Sequence, residues 1–128
     1  MTPDGPILYR DESFAVRGAI YEVYSQIGAG FLEEVYQEAM ERELALRQIP
    51  FEAQPTLKIP YKGAYLQHTY RPDLVCYGKI IVELKAVKSL LPEHEAQLIN
   101  YLRASGIRLG LLVNFSHVPK AQIISRVL

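Results

Sequence analysis

Apolar positions in the first third of the chain recur at helical spacing. Val16, Ile20, Val23 and Ile27 are four, three and four residues apart, which places them on one face of a 3.6-residue helix. The pattern predicts a helix from about Phe14 to Ile27, with Ser13 as its N-cap and the glycines of Gly28-Ala29-Gly30 ending it. A second helix is predicted over about 31–47, its apolar arc made of Leu32, Val35, Tyr36, Ala39, Met40 and Leu44. Glu33 falls at the edge of that arc, where it can point inward and still touch a cleft. The text then turns to β-formers, and strands are predicted over about 51–60, 64–76 and 79–87. Pro55 and Pro60 mark the first as an edge or irregular strand. Pro92 and Gly106 bracket a third helix. The apolar run from Ile107 to Phe115 predicts a strand covered on both faces. Residues 116–128 read as a short strand or helix. The order α-α-β-β-β-α-β, with a helix between the third and fourth strands, predicts a parallel pair. The expectation is one α/β domain over residues 1–128, a mixed central sheet flanked by helices.

Three charged residues interrupt the apolar segment Arg71 to Ala86: Asp73, Glu83 and Lys85. Charge removed from water costs several kcal/mol unless it is paired, hydrogen-bonded or on a metal. Strand alternation puts Glu83 and Lys85 on one face. Asp73 joins them only in some hairpin registers. A two-residue turn at Tyr77-Gly78 sets Asp73 opposite Val82, on the other face. A three-residue loop, Cys76-Tyr77-Gly78, sets it opposite Ile81, diagonal to Glu83 at about 7–8 Å between Cα atoms. Two carboxylates so placed can converge on one cation, with the Leu84 carbonyl as a further oxygen donor and Lys85 stabilising charge. That is the donor set of metal-assisted phosphodiester hydrolysis. The plainer account is a buried ion pair.

Composition narrows the classes. Fourteen basic and fourteen acidic residues cancel, which counts against a non-specific nucleic-acid coat. A lone cysteine, Cys76, forms no internal disulfide and points to a core residue in a reducing cytoplasm. No apolar run approaches the roughly 18 residues that cross a bilayer, and the start lacks the pattern of a secretory signal. Three histidines make no zinc cluster credible. Neither a phosphate-binding loop ending in Lys-Ser/Thr nor a G-x-S-x-G elbow occurs.

Pro72-Asp73 followed by Glu83-Leu84-Lys85 resembles the signature of the PD-(D/E)XK nuclease superfamily. Gly30, Glu33 and Tyr36 stand in the G-x-x-E-x-x-Y arrangement of its GxxExxY family. Gln97 and Tyr101 match the Q-x-x-x-Y pattern of recombination-helicase-type nucleases. The resemblance spans about Phe14 to Phe115. It implies a restriction-endonuclease-like core and a nuclease dependent on Mg²⁺ or Mn²⁺. Asp73, Glu83 and Glu33 would be metal ligands with the Leu84 carbonyl, Lys85 the catalytic lysine, and Gln97 a catalytic residue on the following helix. Tyr101, His94 and Tyr36 would orient phosphate. The implied partner is nucleic acid, DNA ahead of RNA, with a homodimer allowed and no membrane.

Each residue also has an ordinary account. Glu33 in a first helical turn is favoured by the macrodipole by roughly 0.3–1 kcal/mol. Gln97 can bond backbone, and Tyr36 and Tyr101 can be packing aromatics. A rival from another class is a non-catalytic nucleic-acid-binding or protein-interaction module that keeps the fold. What favours the site is convergence, since four separate segments deliver polar groups to one sheet end.

Overall fold

In the computed structural model, which describes residues 8–128, helix α1 (Arg10–Ile27) and helix α2 (Glu33–Leu46) precede the strands. Strands β1 (Phe51–Ala53), β2 (Leu57–Tyr61), β3 (Ala64–Tyr70), β4 (Leu74–Cys76) and β5 (Ile80–Lys85) follow. Helix α3 (Pro92–Ser105) then leads to β6 (Leu109–Asn114) and β7 (Gln122–Val127). Five strands form one mixed sheet in the order β1-β4-β5-β6-β7, and β2 and β3 pair separately. β5 and β6 run parallel, joined by α3, and the other neighbours are antiparallel. The mixed sheet flanked by helices is as expected.

The sheet separates two cores, and strand alternation decides which residue enters which. Leu74, Cys76, Ile80, Val82 and Leu84 pack with Val16, Ile20, Tyr36, Met40 and Leu44 of α1 and α2. Val75, Ile81 and Leu112 pack on the other face with Leu98 and Leu102 of α3. Gly110 lets α3 come this close, because a Cβ there would sit 2.6 Å from Leu98 Cδ1. Among the described residues no helix is long and apolar enough to cross a membrane.

Several boundaries differ from the pattern-based expectation. α1 begins at Arg10, so Ser13 lies inside it, its N–H bonded to Tyr9 C=O at 2.8 Å. α2 begins at Glu33, and Leu32 and Val35 are exposed rather than part of its apolar arc. The strand expected over 51–60 is two strands, parted by residues 54–56 around Pro55. The one expected over 64–76 breaks at Arg71-Pro72-Asp73, where proline offers no N–H to a ladder. The tail supplies a full sheet strand, β7. Pro92 and Gly106 bracket α3 as expected.

Candidate functional site

The β4–β5 hairpin turns through Tyr77 and Gly78, both at positive φ (57° and 65°). Lys79 N–H closes the turn on Cys76 C=O at 3.0 Å. Lys79 remains an extra residue, so Cys76 pairs with Ile80 and Leu74 with Val82. Neither expected register is adopted, since the loop's third residue is Lys79 rather than Cys76. Continuing the ladder by one residue sets Asp73 directly opposite Glu83. Opposed residues share a face, so the two carboxyls come out on the α3 side with Lys85.

Each acid is held by a main-chain N–H of the opposite strand segment. Asp73 N–H donates to Glu83 Oε2 at 2.9 Å, and Leu84 N–H donates to Asp73 Oδ2 at 2.7 Å. The Asp73 carbonyl accepts from Gln54 N–H and from Gln37 Nε2, each at 3.0 Å. β1 and α2 therefore fix the peptide that carries the acid. Gln37 and Gln54 were missed by motif reading, although Gln37 lies four residues after Glu33, on the same helical face. Within a strand, N–H and C=O of one residue point to the same edge. Leu84 C=O thus faces the side of Asp73, where β4 has already ended. Lys85 C=O faces the other way, accepting from Phe115 N–H at 2.9 Å.

Electrostatically the pair is uncomfortable without a cation. Glu83 is 5% exposed; burial first, then the neighbouring Asp73 charge, push its carboxyl up to about 8. Burial also raises Asp73, with the Leu84 N–H and Lys85 opposing and Glu33 adding to the rise. Among the described residues no ion pair joins Lys85 to either acid. This is not the ion-pair arrangement, because main-chain N–H groups cap the acids. Each carboxyl keeps one oxygen beyond that cap.

Glu33 opens α2 from an exposed position and lines, with Glu34, Gln37, Gln54, Asp73 and Leu84, a cleft of about 310 Å³. A larger hollow of about 620 Å³ lies near the start of α1, lined by Arg10, Asp11, Phe14 and Arg17 among others. It is lined by a single acid, Asp11, whereas Glu33, Glu34 and Asp73 line the smaller cleft. Tyr36 shows why Glu33 is placed as it is. Its hydroxyl donates to Gly28 C=O at 2.5 Å and accepts from Phe31 N–H at 3.3 Å, fastening the loop into α2. Gly30 crosses that loop at φ 109°, a conformation essentially restricted to glycine. The Tyr36 ring is fully buried, stacked on Phe115 with centroids 4.3 Å apart. In the structure the Tyr36 hydroxyl is thus engaged by the Gly28–Phe31 loop.

From α3, Tyr101 stacks on Tyr70 at 4.4 Å, and its hydroxyl accepts from Gln97 Nε2 at 2.9 Å. Burial first, then the charges of Glu83 and Asp73, raise the Tyr101 phenol, which puts it within their field. His94 is used differently: Leu91 N–H donates to its Nδ1 at 3.0 Å, so it caps α3 with that nitrogen. Among the described residues no three His, Cys, Asp or Glu side chains stand close enough to enclose one ion. Two carboxylates and a carbonyl fit a hard divalent cation that keeps several waters.

A family model for the PD-(D/E)XK nuclease superfamily matches residues 10–127. A solved structure described as "Crystal structure of SSO0001" is similar in fold, with a TM-score of 0.53 and 24% identity. The match covers 93% of this chain but only 61% of that one, so the chain spans about three fifths of its length. The search of curated proteins finds no match.

Proposed function

Because the chain belongs to the PD-(D/E)XK nuclease superfamily, we propose that it is a nuclease hydrolysing phosphodiester bonds with Mg²⁺ or Mn²⁺, DNA ahead of RNA. The carrying observation is that Asp73 and Glu83 share one face beside Lys85, each with an oxygen left over after its backbone bond. A divalent ion held by Asp73, Glu83 and the Leu84 carbonyl would polarise the phosphoryl group and lower the pKa of a bound water. Glu33 reaches the same cleft through water. The Lys85 ammonium, which has no acid partner among the described residues, offsets the charge that builds on the phosphoryl oxygens. Gln97 and Tyr101 donate from α3 to the phosphate and set its angle. The arrangement of Gly30, Glu33 and Tyr36 supports the finer assignment to the GxxExxY branch: the glycine and the tyrosine hold the loop that presents the acid.

The test is cleavage by the purified chain of single-stranded, duplex and branched DNA and of RNA, with either metal. Mn²⁺ should raise the melting temperature of the wild type and leave Asp73→Ala unmoved. Asp73→Ala should abolish cleavage. Lys85→Ala should lower it by about 10²–10³-fold while retaining the Mn²⁺ shift. No cleavage of any substrate, together with no response to metal, would reject the reading in favour of a non-catalytic module.

A further inference from the structure

The β2–β3 hairpin stands outside the catalytic sheet and has a composition unlike the rest of the chain. Between Glu52 and Asp73 there is no acidic residue, while Lys58, Lys62 and Arg71 contribute three positive charges, a local +3 in a chain of net charge zero. Its two strands pair only with each other. Tyr61 and Tyr65 are 59% and 65% exposed; Tyr61 pairs with Ala64 and Tyr65 with Pro60, so the ribbon presents one ring on each face, with Leu66, 43% exposed, on the Tyr61 side. Lysines attend both rings, Lys62 Nζ lying 5.7 Å from the Tyr61 centroid and Lys58 Nζ 5.3 Å from that of Tyr65.

The hairpin also leads to the site. Its last residue, Tyr70, stacks on Tyr101 and donates to Tyr101 C=O at 3.1 Å. Asp73 follows three residues later. Between the hairpin and the end of α3 runs a groove of about 470 Å³, lined by Lys58, Pro60, Tyr65 and Ser105 among others. Exposed aromatic faces with adjoining ammonium groups are what an unpaired polynucleotide needs, because bases stack on the rings and phosphates meet the cations. A duplex keeps its base faces covered and offers nothing to those rings. An acidic protein would satisfy the lysines and leave the rings idle.

We propose that the β2–β3 hairpin is a binding arm for single-stranded nucleic acid, with Tyr61 and Tyr65 as stacking platforms and Lys58 and Lys62 as phosphate contacts. That the bound strand runs on to the Asp73–Glu83 pair rests on the nuclease reading above; the binding itself does not. The experiment is fluorescence anisotropy of labelled oligothymidylate with the whole chain in chelator, against a duplex of equal length. Wild type should prefer the single strand. Tyr61→Ala with Tyr65→Ala should weaken binding at least about tenfold, whereas the corresponding Phe pair keeps it, since the ring is what stacks. Lys58→Ala with Lys62→Ala should weaken binding and flatten its salt dependence.

Unchanged affinity in the alanine variants would overturn the proposal, as would preference for the duplex. A change confined to oligomeric state would overturn it too, marking the hairpin as a protein interface. If the wild type binds the strand through these residues but cleaves nothing, the arm stands and the nuclease reading falls.

Discussion

Glu83 shows how a scaffold can hold a charge at its own expense. Raised from 4.5 to about 8 in the folded chain, its carboxyl binds a proton more tightly folded than unfolded. Its contribution to stability is therefore complete below about pH 4.5 and is lost as pH climbs through about 8. Thermal melts of the metal-free protein should fall by several degrees across that window. Glu83→Gln should flatten the dependence, because the amide still accepts the Asp73 N–H but carries no charge. A wild-type curve that stays level between those limits would contradict the burial and charge repulsion assigned to this group. The cost has a use: two poorly hydrated carboxylates facing each other gain most when a cation arrives.

At the scale of elements, the site depends on how three pieces of backbone end together. β4 stops at Leu74 because Arg71-Pro72 cannot extend a ladder, while β5 runs on to Lys85. The unmatched Leu84 N–H is then free for Asp73. Alternation made the shared face of Glu83 and Lys85 legible from sequence, and the Pro-Asp and Glu-Leu-Lys spacing named Asp73 as a candidate companion whose face depended on the register. The register was not legible. Which residue becomes the extra one in a glycine turn depends on the left-handed geometry of Tyr77 and on its N–H bond to Pro50 C=O, a contact from β1's approach. The roles of Tyr36 and His94 were hidden for a similar reason, since both serve loop and cap bonds that no spacing announces. Gly110 was likewise invisible inside an apolar run. Gly110→Ala drives a methyl group into Leu98, which is fully buried. It should cost about 1–3 kcal/mol and lift α3, withdrawing Gln97 and Tyr101. Denaturant melts and cleavage rates should fall together. If activity survives intact, those two residues do not work from the cleft.

For the molecule as a whole, neutrality conceals a local imbalance: two acids face each other at one sheet end, while residues 53–72 carry three Lys or Arg and no acid. The ribbon leaves the sheet after Gln54 and returns at Asp73, and those two residues are hydrogen-bonded at 3.0 Å. Ala53 already pairs with Leu74, so β1 and β4 would make a plain hairpin without the excursion. Replacing residues 55–72 by Asn-Gly, a favoured two-residue turn, should give a chain that folds and still gains melting temperature with Mn²⁺. It should melt lower, for want of the Tyr70–Tyr101 stack, and lose its affinity for oligothymidylate. Failure to fold, with the metal response lost, would show the ribbon to be integral to the sheet.

That closed doorway at Gln54 and Asp73 has a practical consequence. Whatever is threaded through it enters and leaves at one point, so a ribbon of other length or chemistry can be installed without renegotiating the reaction centre. With the arm acting as proposed, substrate preference would be an interchangeable attachment that designers can treat as a socket.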